Sequence, residues 1–248
     1  MKALICAGMS LGALQFANAA TLSGAGVTNG VTGINLTSVG TTNWAAWNSD
    51  VNPDPTPSAD YRKATATGTI SAISTTGGSA VVRGTGSTAA YPTGIFTWST
   101  SDSNGSLAAP TTMAGLFHET LEQTTNGVHF TITGLPTLSV GQSYLISLYA
   151  SAFNGGAQAT ASFTGLTSVS LDGVTHDSTK NTDRFQFLYT PDSTGSSLDL
   201  AVKLINNTSG ADSSHALIQA VAISIVPEPS VSVLGALGLL GLLKVRRR

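Results

Sequence analysis

The chain has 248 residues, only 10% of them charged, so its solubility rests on hydroxyls, amides and glycine, which favours an exported protein over a cytoplasmic enzyme. Setting the two ends aside leaves roughly 200 residues, enough for one sizeable core and too few for two comfortable α/β domains. Between residues 20 and 226 six bases stand against twelve acids, a net charge of about −6, and such a body repels phosphate backbones, which argues against a nucleic-acid partner.

At the N-terminus, Met1 and Lys2 form a basic start and residues 3–16 an apolar run. Ala17, Asn18 and Ala19 supply the small-x-small pattern that a signal peptidase admits, so cleavage is expected between Ala19 and Ala20. The single cysteine, Cys6, lies inside the run, which continues to Phe16. It is therefore not placed to carry a lipid, and the mature domain can form no disulfide. Stability must come from core area.

Residues 41–61 have a texture of their own. Trp44 and Trp47 lead into Asn52, Pro53, Asp54, Pro55 and Pro57, which reads as a long ordered loop or surface cover. Asp50, Asn52 and Asp54 place oxygens at alternate positions, as in the opening of a calcium loop. Pro55 stands where an EF-hand needs glycine and Tyr61 where it needs its closing glutamate. Calcium is thus expected only in a non-EF form, with a plain polar loop as the alternative. Indole faces stack well on sugar rings, which makes Trp44 and Trp47 candidate glycan contacts, with Tyr61, Tyr91 and Trp98 behind them. The competing reading has at least one of the two indoles plugging the end of the fold.

Beyond this stretch, short alternating or apolar runs recur every ten to fifteen residues, separated by Gly, Asn, Asp, Pro and Ser. That spacing predicts an all-β, two-sheet sandwich or jelly roll. Weaker strands are expected over 69–74, 80–83, 95–99, 115–122, 158–163 and 169–171. Stronger ones cover Val128, Phe130 and Ile132, alternating with His129, Thr131 and Thr133, then Phe185, Phe187 and Tyr189, alternating with Arg184, Gln186 and Leu188, and Leu198–Ile205, where Asp199 and Lys203 face away from the leucines. Residues 144–150 and 217–225 are continuously apolar and are expected at the centre of a sheet. No segment of the middle predicts an amphipathic helix.

Few residues here suggest chemistry. Asp172, His176, Asp177 and Asp183 are the densest group of possible ligands, expected in an exposed loop. His118, Glu119 and Glu122 lack the two-histidine helical spacing of a zinc protease, and glutamates three apart on a strand point to opposite faces. No Gly-x-Ser-x-Gly elbow, phosphate-binding loop or cysteine nucleophile is present. No catalytic residue is assigned, and the chain is read as a non-enzyme.

At the C-terminus, Pro227, Glu228 and Pro229 precede an apolar run over 231–243 that ends in Lys244, Arg246, Arg247 and Arg248. The prolines are expected to hold Glu228 in an extended segment outside both helix and sheet. As a helix the run spans about 20 Å against a hydrocarbon core near 30 Å, short for a permanent anchor. The basic cluster favours the cytoplasmic face and leaves the domain outside. This order of features resembles the PEP-CTERM sorting signal of Gram-negative bacteria. The resemblance implies that exosortase recognises Pro227, Glu228 and Pro229 and that the basic cluster retains the tail.

The expected organisation is a signal peptide over 1–19, a β-sandwich ectodomain over 20–226 and a sorting signal with a single transmembrane helix over 227–248. The expected role is that of an exported surface or matrix protein, first held at the inner membrane, with signal peptidase and exosortase as partners and extracellular polysaccharide as a further one. A carbohydrate-binding module is the alternative, and a polysaccharide hydrolase is the weaker third reading.

Overall fold

Successive side chains of a strand face opposite sides, so a run that is apolar at every position needs cover on both faces. That requirement explains the architecture of the computed structural model, which describes residues 19–31, 33–47, 61–76, 96–99, 111–113, 117–118, 127–153, 155–176, 182–205 and 215–227. Its elements in chain order are β1 (Thr21–Thr28), β2 (Ile34–Asn35), the single-turn α1 (Leu36–Val39), β3 (Asn43–Ala46), β4 (Tyr61–Arg62), β5 (Thr69–Ile70), β6 (Ser74–Thr76), β7 (Phe96–Ser99) and β8 (Thr111–Met113). They continue with β9 (Phe117–His118), β10 (Gly127–Thr133), β11 (Gln142–Phe153), β12 (Gly155–Ser162), β13 (Val169–His176), β14 (Asp183–Thr190), β15 (Leu198–Ile205) and β16 (His215–Pro227).

Two antiparallel sheets form a β-sandwich. One has the order β1-β14-β11-β16-β3-β4, with β9 also pairing with β16; the other has the order β13-β12-β15-β10-β5, with β6 also on β10. A small third sheet joins β2, β7 and β8. The main core lies between the two large sheets. Ile146, Leu148, Phe185 and Phe187 from one meet Phe130, Ile132, Leu200 and Val202 from the other. A second core covers the outer face of the first sheet, where Leu36 of α1 packs with Trp44, Ala46, Tyr149, Ala220 and Ala222.

The strand β16 shows why its sequence does not alternate. Ile218, Val221 and Ile223 enter the main core, whereas Ala220 and Ala222 enter the second. The spacing works because the register with β11 slips between Tyr149↔Ala220 and Ala150↔Ile218, leaving Gln219 as an extra residue. Gln219 is buried, and its Oε1 accepts from Thr182 Oγ1 at 2.9 Å while its carbonyl accepts from the Trp47 amide at 3.0 Å.

Several expectations need correction. Part of the stretch read as a surface loop is the strand β3, and all four of its residues are buried. Trp44 and Trp47 are 0% and 1% exposed; Trp44 lies beneath α1, and Trp47 packs on Phe130 at 5.5 Å between ring centroids. Neither indole presents a face to a sugar, because each sheet face at the end of β3 has a core to fill. Asp172 and His176 lie in β13 and Asp183 in β14, so these three are not in a loop. Pro227 closes β16 opposite Gln142 and beyond the stretch that β3 pairs, where the strand has one neighbour and a residue without an N–H is tolerated, so the sheet takes up the first residue of the expected hinge. The strand β1 was not expected at all. Its exposed, glycine-bearing sequence hides the pairing with β14, which runs from Thr21↔Thr190 to Thr28↔Arg184.

Replacing Phe130 by alanine removes a fully buried ring from its contact with Trp47. The expected loss is about 3–5 kcal/mol, read from the urea midpoint of the ectodomain at constant m-value.

Candidate functional site

Strand direction decides where the ends of the domain emerge. The strand β1 runs antiparallel to β14, β14 to β11, and β11 to β16. Leu22, Tyr189, Tyr144 and Ile225 therefore share one row across four strands. Ala19 and Ala20 enter, and Pro227 leaves, at the same pole of one sheet. Three strand spacings separate the two ends, about 14 Å. Ala19 is exposed and Ala20 half-buried, directly ahead of the first paired residue, Thr21.

The loops of this pole are held from below by two tyrosines. The Tyr144 hydroxyl donates to the Pro136 carbonyl at 3.0 Å, fixing the connection from β10 to β11. The Tyr189 hydroxyl donates to Ser196 Oγ at 3.1 Å, and Ser196 Oγ donates to the Ser193 carbonyl at 2.9 Å, fixing the connection from β14 to β15. Phe163, leaving β12, lies against the Tyr189 ring at 5.6 Å. Burial pushes both phenols above their ordinary value of 10.0, and for Tyr189 the Ser196 bond works against that rise while Asp192 adds to it. Across the connections 134–141, 163–168 and 191–197 the only charged residue is Asp192. Val140 is 76% exposed and Ile225 44% exposed, and both belong to this pole.

At the edge formed by β4 and β5, a pocket of about 130 Å³ opens, lined by Asn43, Arg62, Lys63, Ala66, Gly68 and Thr69 among others. The Asn43 amide, itself buried, donates to the Thr67 and Gly68 carbonyls at 3.2 and 2.9 Å. Gly68 has φ +79°, and a Cβ there would meet the Leu135 side chain at 2.8 Å and the Thr133 carbonyl at 3.0 Å. The wall that carries Thr67 and Gly68 is thus tied to the sheet. Arg62 and Lys63 are the only adjacent bases within the acidic span 20–226. A cleft of this kind suits a carboxylate, which a guanidinium can grip with two parallel hydrogen bonds.

The outer face of the second sheet is polar. Ser74 Oγ and His129 Nε2 lie 2.6 Å apart, Thr160 and Ser170 share a hydrogen bond at 2.8 Å, and Gln158 donates to Asp172 at 2.6 Å. Ser74 and His129 are 55 positions apart, and no local spacing could have announced the pair. A hydroxyl bonded to an imidazole has the first element of a nucleophile and base. His129 lies opposite Ala201 in the β10–β15 pairing. Asp183 is buried and its Oδ2 accepts from the Val174 amide at 2.9 Å, which ties β14 to β13. His118 pairs through its backbone with His215, and His176 with Gly155. Among the described residues no group of His, Cys, Asp and Glu is arranged to hold a metal ion.

Tyr61 packs against the second core, and Trp98 lies in β7. Ala17, Asp50, Asn52, Asp54, Tyr91, Glu119, Glu122, Asp177, Glu228, Pro229, Lys244, Arg246, Arg247 and Arg248 lie outside the described residues. No helix of the described residues is long and apolar enough to cross a membrane.

No protein-family model matches the chain, and no curated protein does. Among solved structures it is similar to the enzymatically active domain of tailspike protein 4 of bacteriophage CBA120, at 11% identity and a TM-score of 0.28. That likeness covers 79% of this chain, which spans about a fifth of the tailspike chain (21%). It is also similar to the Stig cyclase Fisc from Fischerella sp. TAU, at 12% identity and a TM-score of 0.36, over 81% of this chain and 100% of that one. Likenesses this distant carry no argument about function.

The raised phenols set the alkaline limit of the pole. A folded-state pKa above the unfolded one means that this contribution to stability is complete below pH of about 10 and is lost as pH rises through the folded values. Urea midpoints measured from pH 8 to pH 11 are expected to fall only at the alkaline end. Tyr144→Phe should cost about 1 kcal/mol at neutral pH and make that fall shallower.

Proposed function

We propose that this protein is an exported, non-enzymatic component of the cell surface or extracellular matrix, delivered as a folded β-sandwich between an N-terminal signal peptide and a C-terminal sorting signal. The single observation that carries the reading is the common pole. Two ends that lead toward one membrane are accommodated with least chain when both lie on one side of the domain, as Ala20 and Pro227 do beside the row Leu22, Tyr189, Tyr144 and Ile225. Signal peptidase acts between Ala19 and Ala20. The run over 231–243 holds the intermediate in the inner membrane, and Lys244, Arg246, Arg247 and Arg248 keep its end in the cytoplasm. Exosortase grips Pro227, Glu228 and Pro229 and releases the domain to the surface.

A second reading is favoured by the edge pocket. The domain binds an acidic polysaccharide through Arg62, with Lys63 adding charge and Thr69 a hydroxyl, in place of the buried indoles of Trp44 and Trp47. Calcium at Asp50, Asn52 and Asp54 is an accessory to this reading and not a requirement of it.

Expression with and without exosortase tests the first reading by intact mass. Loss of the terminal segment is expected only with the enzyme, and Glu228→Ala should block the loss; an unchanged mass in both strains would sink the reading. For the second, the purified ectodomain is expected to bind a uronate polymer and not a neutral glucan. Arg62→Ala should weaken that binding about tenfold, the worth of one charge-assisted hydrogen bond.

A further inference from the structure

We infer that the pole where both chain ends emerge is a membrane-resting surface, which lies in the lipid headgroup layer until the terminal segment is removed. This rests on the membrane-tethered reading above and adds an interaction surface to it. The first argument is the length of the tether. Only Glu228, Pro229 and Ser230 separate the paired Pro227 from the apolar run, so the last residue of β16 and the first of the run are at most about 14 Å apart. The headgroup layer on each side of the hydrocarbon is about 5–8 Å thick. The run itself is about 10 Å shorter than the hydrocarbon core, so with its basic end at the cytoplasmic face the tether must span that shortfall and the headgroups together, and the sandwich cannot stand clear of the membrane.

The second argument is the chemistry of the pole, which is independent of the tail. Three large hydrophobic residues are exposed among the described residues, and two of them, Val140 and Ile225, are here. Half-buried Leu166 and Val226 stand at the same end. The connections 134–141, 163–168 and 191–197 are rich in Thr, Ser, Gly and Pro, with Asp192 as their one charge in a domain of net charge about −6, and the connection 63–68, whose Gly68 lies against Gly134 at the same end, adds only the cationic Lys63. An acidic pole would be driven from anionic headgroups, whereas apolar tips among hydroxyls fit an interface that is greasy below and hydrogen-bonding above. The third argument is rigidity. Tyr144 and Tyr189 fix two of the connections at Pro136 and Ser196, so the surface is already ordered before contact and little entropy is lost on docking.

The two exposed valines at opposite ends make the test internal. Val174, 43% exposed, lies in β13 beside Asp183, at the far end of the strands. The full chain carries Cys6→Ala and either Val140→Cys or Val174→Cys, labelled with a polarity-sensitive dye. It is reconstituted in vesicles of phosphatidylethanolamine and phosphatidylglycerol. Carbonate extraction reports whether the chain is inserted, and iodide quenching reports whether the dye is in water. The expected result is a carbonate-resistant chain in which the dye at position 140 is blue-shifted and quenched about twofold less than the dye at 174, as for groups sunk into the headgroup boundary. A resistant chain with equal quenching at the two positions overturns the inference and leaves the sorting reading intact. A chain released by carbonate overturns both.

Discussion

The pairing of β16 with β11 is the interaction on which the rest of the structure depends. It runs from Gln142↔Pro227 to Phe153↔His215, and it brings the last strand of the sandwich into the middle of its sheet. Everything on the outer side of that sheet follows from this placement. A central strand has two faces to cover, so α1 and β3 close one side while the second sheet closes the other. The slip at Gln219 is what lets one strand serve two cores of different depth. Large Ile and Val fill the inter-sheet space, and alanines leave room for Trp44 and Tyr149 on the outside.

The same pairing links fold to function. The strand β16 carries the chain to Pro227 in the middle of its sheet. The antiparallel order of β1, β14, β11 and β16 then returns the N-terminus to the same side. The composition of that pole therefore bears on the tethered reading proposed above. Hydroxyl-rich connections stand there beside the wall of the β4 edge pocket, where Gly68 lies against Gly134.

The burial of the two tryptophans decides between the two readings their stretch offered, stacking on sugars or plugging the fold. Their stretch, rich in Asn, Asp and Pro just afterwards, looks like surface. Large apolar rings are nonetheless worth most inside, and β3 reaches two cores at once because Trp44 and Trp47, three apart, face opposite sides. The group around Asp183 departs from the expected exposed loop for a related reason. Its members are close in sequence, but β13 and β14 belong to different sheets, and Asp183 is used to hold the Val174 amide. Conversely, Ser74 and His129 meet only because β6 pairs with β10, and the wall beneath Arg62 exists only because Asn43 reaches across to Thr67 and Gly68.

By itself, the sequence determined the features that depend on neighbours along the chain. Alternation located β10, β14 and β15, with Leu198–Ile205 placed to the residue; unbroken apolar character located β11 and β16; and the composition of the two ends defined the segments expected to be removed. These are period and contiguity effects, and they survive without any knowledge of partners. The tertiary structure alone decided strand order, the β1 edge pairing made through backbone and not side chains, the interior position of the indoles, and the shared pole of the two chain ends. Each of these is a contact between distant segments, and its energy depends on which surface arrives opposite, a quantity that no local window of residues contains.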